Sequence, residues 1–463
     1  MSLKSQSVVG LEIHKCEIKA KGKTYEFKNA VTEYHYYEDI FINFAHGMLM
    51  ISDSAAWQNL ADWTGDETLT LHIKKPTCKV MFKGEFRIFN VQGKKLASDS
   101  NENHIVHFIS KIVHLNEMIK ISRSYKNKKI SDIVKDIGQR YLNIDIEVEP
   151  TYQPLDIVIP KLKPFEAINW LATLAIPEKY NNIKSGAHYL FWESHDPYSG
   201  EYPKYFFWPM HRLFDEYNSS RQFITPLSGS TGGGRGSGYW YGTKNLEDKY
   251  YTNWDEFEQI ISFEVLNTYD TAESIRKGMF ANRMFSLDYL RRVHKNADFN
   301  YNKYWKESLK PLNLYATDYG NSIKSFDSNE VDESIESTLK LYPSTTRQPI
   351  NPYVILREAD IKPNHVEHTV PYRYAQMSLM GHNRLKLVIP GDPYMPVGWY
   401  IRVHMPRISR SSPKELKSGE LEDKYLSGWY LITAIHSVIN QENEFQTVVE
   451  CMKDAYHKPT PWR

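Results

Sequence analysis

Hydrophobic and polar residues alternate along much of the first 120 residues, with the period of two that is typical of β-strands. The segment "VVGLEIHKCEIKAKGKTYEF" contains two such runs and a third one after a turn at Gly22. Further along, "ETLTLHI" places three apolar residues on one side of a strand, namely Leu69, Leu71 and Ile73. Residues 1–120 are therefore predicted to be mostly β-structure.

The segment of residues 36–73, "YYEDIFINFAHGMLMISDSAAWQNLADWTGDETLTLHI", is predicted to combine strands with one short helix. Alternation in "IFINFA" predicts an extended chain through residues 40–45. Asp53 or Ser54 can then cap a helix, because the side-chain oxygen accepts a hydrogen bond from the first turn. The buried helical face would consist of Trp57, Leu60 and Ala61. Gly47 and Gly65 are expected at turns, with Gly65 ending the helix.

Two later segments of this region are also predicted to be strands. "KVMFKGEFRIFNVQGKK" is predicted to form a hairpin-like pair that turns at Gly84. "NHIVHFISKIVHL" is predicted to form one or two further strands.

Residues 121–215 change to a mixture of helices and strands. In "KKISDIVKDIGQRYL", apolar residues recur at helical spacing around Ser131, namely Ile130, Ile133, Val134, Ile137 and Tyr141. "KPFEAINWLATLAIP" predicts a second helix, which opens with Pro164 because a first-turn residue needs no N–H partner. Its inward face would be Phe165, Ile168, Leu171 and Ala172. The aromatic segments "GAHYLFWES" and "YPKYFFWPMHRLF" follow, which makes this part α+β.

The rest of the chain ends in another β-rich region. Residues 226–254 are Gly-rich and then polar-aromatic, and are predicted to be a mobile surface loop. Residues 255–300 fit both helix and strand patterns, with "DTAESIRKG" as a short helix ended by Gly278 and "MFANRMFSLDYLRRV" as a long strand. Residues 301–370 are rich in Pro, Asn, Ser and Asp and are predicted to be an irregular connection. Four strand-length runs follow in residues 371–455: "RLKLVIPG", "GWYIRVHMP", "GWYLITAIHSVI" and "EFQTVVECMKD".

Composition favours an assembly component over a metabolic enzyme. The 463 residues correspond to roughly three domains of about 150 residues each. Aromatic residues make up 14% of the chain, and such residues suit pleated, half-buried surfaces and large interfaces. The formal net charge is only +1, which gives no general reason to expect a nucleic-acid or anionic-membrane partner.

Targeting signals and cysteine spacing indicate a reducing, cytosol-like compartment. No run of 18 apolar residues occurs and the N-terminus has no apolar region of signal-peptide length, so no stable membrane insertion is expected. Cys16, Cys78 and Cys451 lie far apart without metal-binding spacing. They are expected to be reduced structural thiols.

Glycine-rich "GSTGGGRGSG" at residues 229–238 could suggest a phosphate-binding loop. Such a loop needs a lysine directly after its second conserved glycine and a helix that opens there, so that N–H groups and the lysine reach the phosphates. Neither feature is present in the sequence, and a flexible loop is the better interpretation.

Paired histidines occur in "HIVH" (His104, His107) and "HVEH" (His365, His368). Metal-binding pairs on helices usually stand four residues apart, whereas residues three apart on an extended chain point to opposite faces. These histidines are therefore predicted to be ordinary structural or surface residues, and no metal site is predicted.

Candidate catalytic residues are equally weak. Asp66 and Glu67 in "GDET" are adjacent on a predicted turn and point apart, whereas glycoside cleavage needs two carboxylates that face one substrate. No Gly-x-Ser-x-Gly motif occurs. Catalytic residues can come from distant positions of a chain, and the sequence predicts no catalytic, cofactor-binding or metal-binding residue and no cofactor.

The order of the elements resembles that of the central baseplate hub proteins of contractile-tailed bacteriophages. In the first tube domain the resemblance rests on "EDIF" at 38–41, "GMLMISD" at 47–53, the short helix over 54–63 and "GDETLTL" at 65–71. "PFEAINWL" at 164–171 and "GAHYLFWE" at 186–193 are similar to the middle domain of the family. "RKGMFANRMFSLD" at 276–288 and the terminal "SGWYLITAIHSVI" and "FQTVVECMKDA" are similar to the second tube domain.

The resemblance implies a mainly β fold with α+β, in which two tube-type β-barrel domains flank or enclose an α+β domain. The implied division is a first tube-like β-barrel domain in 1–120, an α+β middle domain in 121–225, a Gly-rich loop in 226–254, a second tube-like β-barrel domain in 255–300 and 366–463, and an irregular connecting arm in 301–365.

The implied function is structural and not enzymatic. Three copies with two similar modules each would form a homotrimeric, pseudo-six-fold ring that adapts a six-fold tail tube to a three-fold central spike. Tail tube protein and central spike protein would be partners, with baseplate wedge and tape-measure proteins as further candidates. DNA would pass through the lumen without specific binding, so the lumen should lack clusters of Lys and Arg. The protein would belong to the tail baseplate of the virion after synthesis in the host cytoplasm.

Two alternatives remain open at this point. One is the spike hub of a related bacterial contractile injection system. The other, from a different class, is a carbohydrate-active or sugar-binding β protein that uses its Trp and Tyr residues as stacking platforms. This second alternative requires an acid pair in a cleft, for which Glu193 and Asp196 are candidates.

Overall fold

The structure of the protein is a computed structural model that includes side chains. It describes residues 11–53, 63–75, 80–98, 101–152, 154–178, 187–196, 199–213, 238–241, 259–267, 281–288, 293–300, 340–342, 366–381, 383–406, 423, 426–439 and 444–453.

The N-terminal region forms seven antiparallel strands. They are β1 (Glu12–Ala20), β2 (Lys23–Glu26), β3 (Val31–Asp39), β4 (His46–Asp53), β5 (Thr68–Lys74), β6 (Phe82–Ser98) and β7 (Asn101–Ser110). Their order in the sheet is β3-β4-β7-β6-β5-β1-β2. Alternate residues point into one apolar core, as the period of two predicts. For example, Leu69, Leu71 and Ile73 are all buried.

Two predictions in this region are wrong because a glycine serves packing and not a turn. Gly84 lies inside the continuous strand β6, where a Cβ atom would come within 2.5 Å of the Phe86 ring. Gly47 lies inside β4, where a Cβ atom would clash with the carbonyl of His35 and the ring of Phe108. A side chain at either position would displace aromatic rings from the core. Gly65, in contrast, sits at a bend with φ of +88°, as expected for a turn.

Two further segments predicted as strands adopt other conformations. Residues 40–45 form a turn, in which the Asp39 carboxylate accepts a 2.7 Å hydrogen bond from the Phe41 N–H. "KIVHL" belongs to helix α1 (Ile112–Met118), whose Ile112 and Val113 pack in the core of the middle region. The predicted helix around Trp57 and Leu60 lies outside the described residues.

The middle region is α+β. Its elements are β8 (Ile121–Lys129), α2 (Ile130–Ile137), a π-helical turn (Gly138–Leu142), β9 (Ile146–Val148), β10 (Pro154–Leu162), α3 (Pro164–Ala172), β11 (Tyr189–Ser194), β12 (Lys204–Pro209) and α4 (Met210–Leu213). The predicted inward faces of α2 and α3 are buried, apart from Tyr141, which is partly buried and packs against the same core. Strand β12 pairs antiparallel with β11 and parallel with β9.

The C-terminal region returns to β-structure. Its elements are β13 (Tyr239–Tyr241), β14 (Gln259–Ile260), β15 (Ser262–Asn267), β16 (Ala281–Asp288), β17 (Val293–Asn300), β18 (Lys340–Tyr342), α5 (Val366–Met380), β19 (Asn383–Pro390), β20 (Tyr400–His404), β21 (Gly428–Ile439) and β22 (Phe445–Lys453). The four predicted strand runs are confirmed as β19 to β22. Within the predicted loop 226–254, residues 239–241 form a strand; the rest of that loop, the "DTAESIRKG" helix and most of the 301–365 arm lie outside the described residues.

One strand path occurs twice in the chain. The N-terminal path is β3-β4-β7-β6-β5 and the C-terminal path is β15-β19-β22-β21-β20, and every neighbouring pair is antiparallel in both. The register also shifts at the same place, between Ile88 and Asn90 of β6 and between Ile432 and Ala434 of β21. The two paths diverge afterwards, since β1 is antiparallel to β5 whereas β13 is parallel to β20.

The predicted fold class, mainly β with α+β, is confirmed by this large antiparallel sheet and the α+β region between its two parts. Among the described residues, no helix is long and apolar enough to cross a bilayer.

Candidate assembly interface

The two strand sets join into one fourteen-stranded sheet through β3 and β21. Six residue pairs form this junction, from Ala434 opposite Asp39 to Ile439 opposite Tyr34. Strand β21 uses the first part of the same edge, from Gly428 to Leu431, to pair with β20. The junction is therefore a place where a strand of one set is added to a half-open edge of the other set.

A buried acid stabilises the inner side of this junction. Glu38 is 2% exposed and accepts hydrogen bonds from Tyr36 Oη (2.6 Å), Ser194 Oγ (2.6 Å) and His195 Nδ1 (2.7 Å). Burial opposes the charged form of His195, but the Glu38 carboxylate outweighs it and raises the pKa of that imidazole. Since Ser194 is the last residue of β11 and His195 follows it, this cluster fixes the middle region to the junction.

The middle region covers the inner face of both strand sets. Alternate residues of β11 and β12 point to opposite sides: Tyr189 and Phe191 pack with the helices, while Leu190 and Trp192 pack against the C-terminal strands. Tyr202 packs against Phe82 and Phe86 of the N-terminal set. The aromatic strands are buried on both faces for this reason.

The outer face of the sheet carries a row of half-buried rings at the junction. His436 stacks on Tyr37 with ring centroids 4.2 Å apart, and its Nε2 lies 2.9 Å from His35 Nδ1. His46 stacks on the other side of Tyr37 at 5.0 Å. Burial lowers the pKa of these three histidines, to about 4 for His436, where the neighbouring imidazoles add to the effect. The stack is therefore neutral near pH 7.

In the large sheet, besides the outer edges of β2 and β14, two further edges are open among the described strands. Strand β15 pairs with β19 on one side, and no described strand pairs with its other side. Strand β6 pairs with β5 only from Phe82 to Arg87, and no described strand continues along that edge. Exposed apolar side chains lie at both places, including Phe89 (52% exposed) and Ile261 (51%). Open edges of this kind can accept a strand from another chain.

The sequence candidates for catalysis do not come together in an open cleft. Glu193 is 1% exposed and accepts a hydrogen bond from Tyr202, and burial raises its pKa to about 8. Asp196 accepts a 2.5 Å hydrogen bond from Lys204 Nζ. A polysaccharide chain cannot reach the enclosed Glu193 in this conformation.

The remaining sequence candidates have structural surroundings. Glu67 accepts hydrogen bonds from the N–H groups of Thr64 (2.6 Å) and Gly65 (2.9 Å), so it caps the turn before β5. His104 is buried inside β7, whereas His107 is half-buried on the opposite face. Over the described ranges, no group of three or more His, Cys, Asp and Glu side chains could hold a metal ion. Cys16 and Cys451 are buried thiols, and Cys78 lies outside the described residues.

Comparison with known proteins gives a structural likeness only. No protein-family model and no curated protein sequence matches this chain. A 43 kDa tail protein of prophage MuSo2 from Shewanella oneidensis is similar in structure, with a TM-score of 0.50 and 11% identity over 95% of this chain and 98% of that chain. A tail protein from Neisseria meningitidis MC58 has a TM-score of 0.50 and 10% identity over 97% and 98% of the two chains. The chain has the fold of these tail proteins.

Sequence analysis missed the cluster around Glu38. Ser194 and His195 are separated from this acid by 156 and 157 positions, so no local spacing reveals them. The available signal was an acid two and four positions after Tyr36 and Tyr34, on the same side of the chain if this segment is a strand. A charged residue at such a position needs buried partners.

Proposed function

We propose that the protein is a structural subunit of a contractile phage tail, in which three copies form a ring between the tail tube and the central spike. The observation that supports this most is the strand path that occurs twice in one chain and is fused into one sheet. Three such chains supply six similar modules, so one ring can match a six-fold partner on one side and a three-fold partner on the other. The likeness to two tail proteins in fold is consistent with this role.

The open outer face of the sheet is the surface that would line a channel. Its inner face is occupied by the middle region, whereas its outer face carries polar and half-buried side chains. Two cations on the outer face stand beside acids: Arg384 lies 3.1 Å from Glu450, and Lys15 lies 2.9 Å from Glu17. Paired cations attract phosphates less than a cluster of free cations does. Such a face suits passage of DNA without specific binding.

Ring formation would use the open edges of β15 and β6, with tail tube protein and central spike protein bound to the two ends of the ring. Large permanent interfaces typically bury more than about 2,000 Å², and the exposed apolar residues near these edges favour such burial. The role is mechanical and needs no cofactor. The mature protein would be part of the tail baseplate of a virion.

The mass of the purified protein in solution tests this proposal. Light scattering or native mass spectrometry should give about 163 kDa, three times the 54.3 kDa of one chain. Electron microscopy of the same sample should show a ring with a central opening. A protein that stays monomeric over the micromolar range and also in assembled particles would rule the proposal out.

A further inference from the structure

The junction inside the chain has a counterpart that the described strands of one chain do not form. In the junction, β3 pairs with the part of the β21 edge that β20 leaves open. The equivalent elements in the repeated path are β15 in place of β3 and β6 in place of β21. Both of these offer open edges among the described strands. These two edges end the run β15-β19-β22-β21-β3-β4-β7-β6 of paired strands, and they are not paired with each other among the described strands of one chain. A second copy can bring them together.

The equivalence of β6 and β21 holds residue by residue. Val91 of β6 lies opposite Val106, and Ile435 of β21 lies opposite Val449. Just before this point both strands have the one-residue bulge. Both strands also donate an equivalent additional hydrogen bond. The N–H of Ile88 donates to the carbonyl of Glu67, and the N–H of Ile432 donates to the carbonyl of Trp399. Glu67 and Trp399 each precede the first residue of the neighbouring strand.

Counting along the paired strands extends this equivalence to the open edge. Gln92 follows Val91 as His436 follows Ile435. Lys95 lies opposite Asn103, which is three positions before Val106 of β7. Val438 lies opposite Gln446, which is three positions before Val449 of β22. Gln92 therefore corresponds to His436 and Lys95 to Val438.

Strands β3 and β15 correspond in the same way. Leu49 of β4 and Leu387 of β19 are equivalent, because they lie opposite the matching valines of β7 and β22. Met48 and Lys386 directly precede these two leucines. His35 lies opposite Met48 and Glu264 lies opposite Lys386, so His35 and Glu264 correspond. Tyr37 and Asn267 correspond as well, opposite His46 and Arg384.

Transferring the register of the junction gives a specific pairing between copies. Within the chain, His436 lies opposite Tyr37 and Val438 lies opposite His35. The equivalent pairs are Gln92 with Asn267 and Lys95 with Glu264. In the internal junction, one residue lies between the two paired positions of each strand. In the equivalent pairing, two residues lie between Gln92 and Lys95 of β6, and two lie between Glu264 and Asn267 of β15. The extra residues face each other, so the two ends of the pairing stay in register.

The chemistry of the two edges is complementary. Glu264 has 66% of its side chain exposed and lies 3.9 Å from Lys386, which leaves it accessible. Lys95 is the residue of β6 that would lie opposite Glu264, and Lys94 precedes it in the sequence. Opposite charges across a strand pair favour that register, whereas like charges oppose it. The exposed Val265 and Leu266 would lose solvent exposure on pairing.

We propose that β15 of one copy pairs antiparallel with residues 92–96 of β6 in the next copy, with Lys95 opposite Glu264. This inference rests on the proposed ring. Each chain then contributes one internal junction and one junction with its neighbour, and three chains make six junctions around the sheet.

Disulfide trapping tests the register. Directly opposite residues of antiparallel strands have Cα atoms about 4.5–5.5 Å apart, within the range of about 4.4–6.8 Å that a disulfide needs. In a Cys78→Ser background, the double variant Lys95→Cys/Glu264→Cys should give covalent dimers and trimers on a non-reducing gel, which collapse to single chains on reduction. Native Cys16 and Cys451 are fully buried and should not react.

Two matched variants serve as controls. His35→Cys/Val438→Cys, which lie opposite each other in the internal junction, should form a disulfide within one chain. Lys19→Cys/Glu264→Cys should give no ladder, because exposed Lys19 lies on β1, away from the open edge. A trimer by light scattering without the Lys95–Glu264 cross-link would overturn this pairing and leave the ring intact. A monomer would overturn both proposals.

Discussion

Replacing Glu38 by alanine should destabilise the protein more than replacing Glu33, an acid on the outer face of the same strand. The change removes one carboxylate that accepts three hydrogen bonds, from Tyr36, Ser194 and His195. It leaves His195, which is 1% exposed, without its charged partner. Hydrogen bonds to a charged group contribute about 1.5–3 kcal/mol each but are not additive. Removing one partner of a buried ion pair costs about 3–5 kcal/mol, and we expect a loss in that range.

Urea unfolding, followed by tryptophan fluorescence at one protein concentration, measures this loss through the shift of the midpoint. Glu33→Ala is the matched control. Glu33 lies on the opposite face of β3, is half-buried and stands 3.8 Å from His35, so its removal should cost under about 1 kcal/mol.

The conservative variant Glu38→Gln separates charge from shape. It keeps one acceptor oxygen at the same place, so its cost should fall between those of the alanine variant and the control. It should also lower the pKa of His195, because the carboxylate that raises that pKa is gone. If Glu38→Ala and Glu33→Ala shift the unfolding midpoint equally, the cluster does not hold the junction together and the reasoning fails.

Two further changes probe the junction. Because burial lowers the pKa of His35, His46 and His436, the unfolded state binds more protons at these three residues below about pH 6.5, so their contribution to stability should fall as the pH drops from there towards about 4. The pKa shift of His436 alone corresponds to about 3 kcal/mol, which screening of the half-buried ring reduces to about 1–2 kcal/mol. Urea midpoints at pH 7.5 and 5, compared between the native protein and His436→Gln, measure this contribution. An equal change of the midpoint with pH in both proteins would contradict it. Gly47→Ala should cost about 1–3 kcal/mol by overpacking. Gly381→Ala, with no atom closer than 3.7 Å to the new Cβ, should cost under about 1 kcal/mol, and the same urea midpoints compare the two variants.

Periodicity predicted elements well where one face is buried and the other is exposed. Strands β19, β21 and β22 alternate over their whole length or most of it, and helix α2 has an uninterrupted apolar face. Periodicity gave wrong predictions where contacts between distant parts of the chain determine the local conformation. Gly84 reads as a turn from sequence alone, yet it makes room for the Phe82 and Phe86 rings. Helix α1 is short, and its apolar residues fit both helix and strand patterns.

The repeated path could not be recognised from residue identities. Equivalent positions carry different side chains, for example Gly47 and Leu385, or His35 and Glu264. What the two paths share is strand order, direction and one bulge, and these depend on pairings between residues far apart in the sequence. The order of motifs suggested two similar modules, but only the register between strands identifies which edges correspond.

Comparing the two kinds of junction shows why they would behave differently. The internal one joins two parts of the same chain, so it forms without dependence on concentration, and it contains the buried Glu38 cluster. In the junction proposed between copies, the described part of β15 ends at Asn267, which corresponds to Tyr37, so this pairing contains no counterpart of Glu38. That junction therefore lacks the buried ion pair and relies on main-chain pairing, apolar burial and the proposed contact between Lys95 and Glu264. Dilution and salt should weaken it while the internal junction stays formed, so the ring should dissociate into folded chains before any chain unfolds.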